Sequence, residues 1–110
     1  LVIAETIKNA EVENNLAIAV CPSSSSNTVI VARAADELLN ISGIDVCFVL
    51  SESNGSVAIS GRSVGDVNVQ VVLEEIGGGG HMNMAGAKLN MPMAEALSLL
   101  KESIARNIKE

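Results

Sequence analysis

Four consecutive glycines lead directly into the one histidine of this chain. The glycines are Gly77, Gly78, Gly79 and Gly80, and the histidine is His81. A glycine run adds no side-chain packing and raises the entropy lost on folding, so it is typical of backbone that approaches another group closely. Its bare N–H groups can converge on an anion, and a helix N-terminus after the glycines would add its dipole. The run predicts a phosphate-binding loop, with a flexible linker or a helix-ending turn as the alternative.

Two further features could complete such a site. His81 can donate to a phosphate oxygen in either protonation state and could serve as acid or base, although no nucleophile or orienting carboxylate is recognisable nearby. Arg62 lies in Ser60-Gly61-Arg62-Ser63, directly after a predicted strand, where a guanidinium can present two parallel donors to a phosphate. A structural histidine and a solvated loop arginine are the alternatives. The predicted substrate-binding residues are Ser60, Arg62, Ser63, the four glycines and His81.

Hydrolytic machinery, in contrast, is not recognisable. Metal-assisted phosphoester hydrolysis needs a cluster of Asp and His side chains, and one histidine with scattered carboxylates does not make one. The glycine run follows a predicted helix and precedes no Lys-Ser/Thr pair, which excludes Walker A and Rossmann patterns. No nucleophile elbow is visible. We therefore expect no catalytic residue and no metal site in this chain, which should bind its ligand without turning it over.

Charge and composition limit what that ligand can be. The net charge is −6, from 7 basic and 13 acidic residues, and Phe48 is the one aromatic residue. A surface that binds long nucleic acid normally carries excess Lys and Arg, and stacking of successive bases needs aromatic side chains. We expect a small anion and no long nucleic acid.

Cys21 and Cys47 lie in or beside apolar runs. No stretch resembles a secretory leader or a membrane span, so free buried thiols in a reducing compartment are the favoured state. A disulfide between the two cysteines is an alternative. A zinc site with His81 would lack both a Cys-x-x-Cys pair and a fourth ligand.

The first half of the chain predicts a βαβ unit. An apolar run at Leu16–Val20 is typical of a strand buried on both faces. Residues 23–26 form a serine loop, after which Ser26 or Asn27 can cap a helix. Residues 44–50 are a second buried strand. The apolar positions of the intervening helix follow the helical period and are Val31, Ala34, Ala35 and Leu38.

The second half predicts a hairpin, two helices and a short strand. Asn54-Gly55 is the residue pair preferred in a type I′ turn. Residues 69–76 fit either a strand or a helix, and the helix is favoured by a cap at Asp66 and a terminator at Gly77. Residues 85–90 are a short strand, and an amphipathic helix follows Pro92. The fold is thus α/β, with a mixed, mostly parallel sheet of about four or five strands and flanking helices. Residues 1–110 form one domain, and a start without Met inside a helical pattern suggests an excerpt from a longer protein.

Several segments together resemble a known domain family. Residues 60–63 (Ser-Gly-Arg-Ser), 66–70 (Asp-Val-Asn-Val-Gln), 77–81 (Gly-Gly-Gly-Gly-His) and 85–86 (Ala-Gly) resemble the DHH-associated C-terminal domain of the DHH phosphoesterases. The resemblance covers nearly the whole chain. Residues 68–70 and the helix at 34–39 are most similar to the membrane-anchored bacterial phosphodiesterases that hydrolyse cyclic di-AMP to linear pApA.

The resemblance implies a division of labour between two domains. An N-terminal DHH domain of the same polypeptide would hold Mn²⁺, while Arg62, the glycine loop and His81 would grip phosphate or base. It also implies a cytoplasmic domain of a membrane-anchored protein. The partners would be that DHH domain and a cyclic dinucleotide or short oligonucleotide, with homodimerisation left open. The alternatives are an oligonucleotide phosphoesterase of the nano-RNase or RecJ kind, and a non-catalytic nucleotide-binding module. The DHH motif itself is absent, so this chain alone is not expected to be active.

Overall fold

A computed structural model describes residues 2–22 and 28–109. The predicted loop at residues 23–26 and the cap at Ser26 or Asn27 lie outside the described residues. The helices and strands follow one another as α1 (Val2–Lys8), β1 (Glu11–Glu13), β2 (Leu16–Val20), α2 (Thr28–Leu39), β3 (Val46–Ser53), β4 (Ser56–Ser63), α3 (Val69–Glu75), β5 (Gly79–His81), β6 (Met84–Leu89) and α4 (Met93–Asn107).

The described strands form one mixed sheet in the order β1-β2-β3-β4-β6-β5. Strands β2 and β3 are parallel, and every other neighbouring pair is antiparallel. The mixed α/β class and the βαβ unit are confirmed, but the prediction of a mostly parallel sheet of four or five strands was wrong. Short turns join β1 to β2, β3 to β4 and β5 to β6, and such turns can only connect antiparallel strands. Helix α2 provides the long crossover that a parallel pair requires.

The β3–β4 hairpin has the turn that its sequence predicts. Ser53 pairs with Ser56, so the loop is two residues long. Its central residues Asn54 and Gly55 have φ angles of 53° and 79°. Positive φ at both positions is what a type I′ turn demands. The turn fixes the register of β4, and β4 carries Arg62.

Each face of the sheet has its own core. Helix α2 packs Val31, Ala34, Ala35 and Leu38 against one face, in a cluster that includes Ala17, Cys47 and Val49. Helices α3 and α4 cover the other face, where their apolar side chains surround Phe48, Leu50 and Ile59. We call these the α2 face and the α3/α4 face. The alternation of side chains along a strand assigns each position to one face or the other.

Helices α3 and α4 confirm the sequence predictions, with one correction. Residues 69–75 are helical rather than extended, and the helix ends at the glycines. Its N-cap is Asn68, whose side chain accepts from the Val71 N–H, and not Asp66. Asn68 stands directly before the first helical residue, where a cap must lie to reach the N–H groups of the first turn. None of the helices in the described ranges is both long and apolar enough for a membrane crossing.

Candidate phosphate-binding face

Two rows of candidate residues run across strands β4, β6 and β5 on the α2 face. Arg62 pairs with Met84, and Met84 pairs with His81. Ser60 pairs with Gly86, which in turn pairs with Gly79. Cross-strand partners present their side chains on the same face, and adjacent strands lie about 4.8 Å apart. The Arg62 and His81 backbones are therefore only about 10 Å apart, although 18 residues separate them in sequence.

This face is covered by helix α2 at one end and exposed at the other. Helix α2 packs on β3 and β4. Beyond it, Met84 is 53% exposed and His81 is also exposed. Strands β6 and β5 therefore present an accessible surface bordered by α2, and the two rows cross it.

The glycine run does not form one continuous loop, because its members have different structural roles. Gly77 follows the C-cap of α3 with a φ of 103°. The Gly77 N–H donates to the Glu74 carbonyl, and the Gly78 N–H donates to the Leu73 carbonyl. This is the Schellman arrangement that ends many helices. The helix-ending alternative is thus correct for Gly77.

Gly78 and Gly80 are required by close packing within the sheet. A Cβ on Gly78 would lie 2.2 Å from the Gly86 carbonyl oxygen, and one on Gly80 would lie 2.6 Å from the Met84 carbonyl oxygen. Gly80 also has a φ of 147°. The expected close backbone approach is present, and at these two positions the approached group is strand β6.

Gly79 differs from its neighbours. A Cβ added to Gly79 would meet no atom within 4 Å, and its φ lies outside the positive range that favours glycine. The residue belongs to β5 and faces the open surface of the sheet beside Gly86. Nothing within the described residues therefore explains a glycine here, and approach by a molecule from outside would explain it.

The glycines lead into an edge strand and not into a helix. Residues 79–81 form β5, and a two-residue turn connects β5 to β6. The helix dipole that the sequence suggested for this run is therefore absent from its C-terminal side. Any anion here would meet the N–H groups of the edge strand and the side chains of the two rows.

Arg62 is neither solvated nor in a loop. It lies within β4, only 8% exposed. Its Nε donates to Asp36 Oδ1 at 2.8 Å, and its Nη1 donates to the Gly61 carbonyl at 3.0 Å. The sequence predicted two parallel donors for a phosphate, but two of the three guanidinium nitrogens are already engaged. The Nη2 group is the one that donates to no described residue.

Cys47 lies beside Arg62 on the α2 face. The two residues are cross-strand partners, and the Cys47 thiol donates to the Ala35 carbonyl at 3.3 Å. Burial raises the pKa of Cys47 to about 12, which the nearby Arg62 charge only partly offsets. Cys21 and Cys47 are both buried free thiols, as the sequence predicted.

Ser63 is placed away from the other candidates. It is buried and pairs with Val46, which packs in the α3/α4 core. Its hydroxyl donates to the Val67 carbonyl at 2.6 Å and accepts from Asn83 Nδ2 at 2.9 Å. Ser63 therefore lies on the face opposite Ser60 and Arg62, where it fixes the β5–β6 turn to the segment before α3.

Sequence reasoning missed two residues that support the site. Asp36 holds Arg62, and Asn83 anchors the turn after His81 through Ser63 and the Gly65 carbonyl. Asp36 is a polar residue on the exposed side of an amphipathic helix, a position at which sequence carries no signal for a partner. Asn83 had a weak signal, because a polar side chain in a short turn often bonds nearby backbone.

Residues 13–110 match the DHHA1 domain family. This chain is a DHHA1 domain. The match includes every candidate residue above. Within the described ranges, this DHHA1 domain has no group of three or more His, Cys, Asp or Glu side chains that could hold a metal ion.

Two bacterial relatives are similar in sequence. The cyclic-di-AMP phosphodiesterase GdpP of Geobacillus thermodenitrificans is 49% identical over 78 residues, which is 69% of this chain and 12% of that protein. The protein of the same name from Bacillus subtilis is 38% identical over 97 residues, which is 84% of this chain and 15% of that protein. The DHHA1 domain thus spans only a small part of the length of these relatives.

Two solved structures share the fold. An exopolyphosphatase-related protein from Bacteroides fragilis superposes with a TM-score of 0.82 at 21% identity, covering 94% of this chain and 33% of that one. The exonuclease RecJ bound to manganese gives a TM-score of 0.70 at 17% identity, covering 98% of this chain and 27% of that one. In both, the region that matches the DHHA1 domain is a minor part of a larger chain.

Proposed function

We propose that this DHHA1 domain is the substrate-binding half of a phosphodiesterase that hydrolyses cyclic di-AMP to linear pApA. The proposal is supported by two relatives named as cyclic-di-AMP phosphodiesterases. Because the domain spans 12–15% of their length, the remaining machinery would belong to other domains of the polypeptide. A DHH domain of the same chain would supply the metal ions.

The observation that carries the proposal is the pair of rows on the open part of the α2 face. Four predicted binding residues, Ser60, Arg62, Gly79 and His81, lie on this face and on neighbouring strands. They face the same way and border one accessible surface. An anion resting on that surface would meet donors from β4 and β5.

Each residue of the rows has a distinct role in this proposal. Gly79 lets the substrate approach the backbone of β5, because no side chain stands between them. His81 donates to a phosphate oxygen, as an exposed imidazole can in either protonation state. Arg62 contributes its Nη2 donor and positive charge from a fixed position beside Asp36. Met84, between Arg62 and His81, offers an exposed thioether against which an adenine ring can rest.

The rows bind and orient the substrate, and the proposed DHH domain provides the reacting centre. Metal ions there would polarise the phosphate and supply a nucleophilic water. Manganese is a reasonable choice of metal, because the exonuclease RecJ, which shares the fold, binds it. The DHHA1 residues hold the nucleotide so that the scissile bond faces that centre, which reduces the entropy lost on reaching the transition state. None of the residues described here is assigned a proton transfer.

His81→Ala in the full-length protein tests the proposal. His81 is exposed and no described side chain depends on it, so the fold should survive its loss. We expect kcat/KM for cyclic di-AMP, measured with Mn²⁺, to fall about tenfold, because a hydrogen bond to a charged group contributes about 1.5–3 kcal/mol. The matched control is Val12→Ala, an exposed residue of β1 at the opposite edge of the sheet. Equal kinetics in the two variants would reject the assignment.

The same assay decides between nucleotide substrates. Linear oligoadenylates of two to five residues are compared with cyclic di-AMP in the wild-type protein. A higher kcat/KM for the oligonucleotides would favour an oligonucleotide phosphoesterase. Binding of cyclic di-AMP by the full-length protein without any hydrolysis would favour a nucleotide-sensing module.

A membrane-anchored full-length protein with this domain on the cytoplasmic side stays a prediction from the sequence resemblance, and homodimerisation stays open. Membrane fractionation and gel filtration of the full-length protein would test them.

A further inference from the structure

A second cavity lies on the α2 face, further along the same strands. It has a volume of about 460 Å³ and lies where α2 begins, beside the ends of β3, β4 and β6. Six of its seven described lining residues are polar or charged, among them Thr28, Ser51, Ser56 and Lys88. The larger described cavity, about 590 Å³, lies elsewhere, between β1 and the end of α4.

The cavity continues the two rows of the proposed substrate site. Ser51 pairs with Ala58, and Ala58 pairs with Lys88, so these residues form a third row on the α2 face. Along a strand, alternate residues lie about 6.7 Å apart. The third row is therefore about 7 Å from the Ser60 row and about 13 Å from the Arg62 row. A dinucleotide that begins at His81 would reach it.

Ser51 indicates that this cavity is built for a polar ligand. The residue is 3% exposed and lines the cavity. Its hydroxyl makes no hydrogen bond to any residue within 2–22 or 28–109. Every fully buried side-chain oxygen in those ranges has a partner, so the Ser51 hydroxyl is not fully buried and is accessible from the cavity. A hydroxyl can both donate and accept a hydrogen bond, so Ser51 offers a polar contact to whatever occupies the cavity.

Lys88 and the first residue of α2 give the cavity a positive character. Lys88 is exposed and makes no ion pair with any described residue. Thr28 begins a 12-residue helix, and a helix N-terminus favours an anion. In a chain whose net charge is −6, a lysine without an ion pair among the described residues, in the same row as a serine hydroxyl, is suited to a phosphate.

We propose that Lys88 and Ser51 form a second phosphate subsite, which holds the phosphate of a dinucleotide that is not the one being cut. This inference rests on the proposed function and extends it: the domain binds both phosphates of one substrate in separate rows. In cyclic di-AMP the occupant is the second phosphodiester, and in linear pApA it is a phosphate of the bound product. A substrate with a single phosphate cannot fill both rows.

Lys88→Gln in the full-length protein tests the subsite by comparing two substrates. Cyclic di-AMP has two phosphates, whereas bis(p-nitrophenyl) phosphate has one. We expect the KM for cyclic di-AMP to rise about fivefold more than the KM for the one-phosphate ester. Lys88→Arg should restore most of the difference. Lys101→Gln is the matched control, because it removes the same charge from an exposed position of α4.

Further measurements distinguish a failure of this inference from a failure of the proposed function. Titration with pApA should give a weaker Kd for Lys88→Gln and for Ser51→Ala than for the control, and inorganic phosphate alone should compete. If Lys88→Gln and Lys101→Gln give the same ratio of KM values, the subsite is rejected, whatever His81→Ala does. If Lys88→Gln raises the KM and His81→Ala does not, the role proposed for the Arg62 and Ser60 rows is rejected, and phosphate binds in the cavity alone.

Discussion

Arg62 Nε and Asp36 Oδ1 lie 2.8 Å apart and join strand β4 to helix α2. The arginine side chain is 10% exposed, whereas the aspartate side chain is 59% exposed. The pair therefore joins a nearly buried cation to an anion that water still reaches. It holds the guanidinium at the border between the covered and open parts of the α2 face, and it offsets part of the cost of burying a charge.

Asp36→Asn should lower both stability and substrate affinity. The buried guanidinium would lose its charged partner, and we expect about 1–2 kcal/mol of lost stability, less than for a fully buried pair because Asp36 is exposed. Arg62 would also be held less firmly. Urea denaturation of this chain and KM for cyclic di-AMP in the full-length protein measure the two effects.

Glu37→Gln is the control for that experiment. It removes the same charge from an exposed position one residue away on α2, where no ion pair is formed with described residues. Identical denaturation midpoints for the two variants would mean that the Arg62–Asp36 pair does not stabilise the fold.

Alanine substitutions at Gly78 and Gly79 should separate effects on stability from effects on nucleotide binding. Gly78→Ala forces a Cβ against the backbone of β6, so we expect a loss of about 1–3 kcal/mol in stability. Gly79→Ala meets no atom, and its stability should change by less than about 0.5 kcal/mol, while its KM for the nucleotide rises. Thermal denaturation and steady-state kinetics distinguish them. A Gly79 variant with normal KM would show that the substrate does not approach β5 closely.

Asn83→Ala should loosen the turn that positions His81. Its side chain donates to Ser63 Oγ at 2.9 Å and to the Gly65 carbonyl at 3.2 Å. We expect about 1 kcal/mol of lost stability, faster amide hydrogen exchange in β5 and a higher KM. Asn90→Ala, beyond the other end of β6, removes one exposed side-chain bond from Ser56 and serves as control for the stability and exchange measurements. Unchanged exchange in β5 relative to that control would contradict this role.

Cys47 should be unreactive until the domain unfolds. Burial raises the pKa of its thiol to about 12, so almost none is thiolate at pH 8, whereas an unfolded cysteine has a pKa of about 8.5. The folded state is therefore favoured below about pH 8.5 and loses this contribution as pH rises toward 12. Iodoacetamide labelling followed by mass spectrometry, with and without urea, tests this in a Cys21→Ser background. Rapid labelling of Cys47 without urea would contradict its burial.

Local patterns in the sequence were enough to predict most of the fold. The spacing of apolar residues predicted helix α2 and the side chains that it buries, which are Val31, Ala34, Ala35 and Leu38. The pair Asn54-Gly55 predicted the hairpin. The sheet order was harder, because β1 has only three residues, all exposed, and therefore lacks the alternation that marks a half-buried strand. Strand β5 was hidden within the glycine run, since glycine has low strand propensity and its pairing here depends on contacts with β6.

The candidate site was predicted residue by residue, but its arrangement depends on pairings that sequence does not encode locally. Arg62 and His81 share a row only because β6 lies between β4 and β5. Ser63 was grouped with Ser60 and Arg62 by proximity in sequence, whereas strand alternation places it on the other face. Ser51 and Lys88 gave no signal, since a serine in an apolar strand and a lone lysine are common.

The alternation of β4, β6 and β5 has a consequence for how this domain can change. Odd and even positions of β4 and β6 differ in role, because Ile59, Gly61 and Ala85 lie on the core face while Ser60, Met84 and Lys88 lie on the α2 face. Under the proposed function, substitutions at the solvent-facing positions would alter nucleotide preference without disturbing the core. Insertion of a single residue into a strand would move its core-facing side chains to the solvent face and its solvent-facing side chains into the core. Changes in substrate range should therefore arise by amino-acid substitution, and insertions and deletions should be confined to the turns.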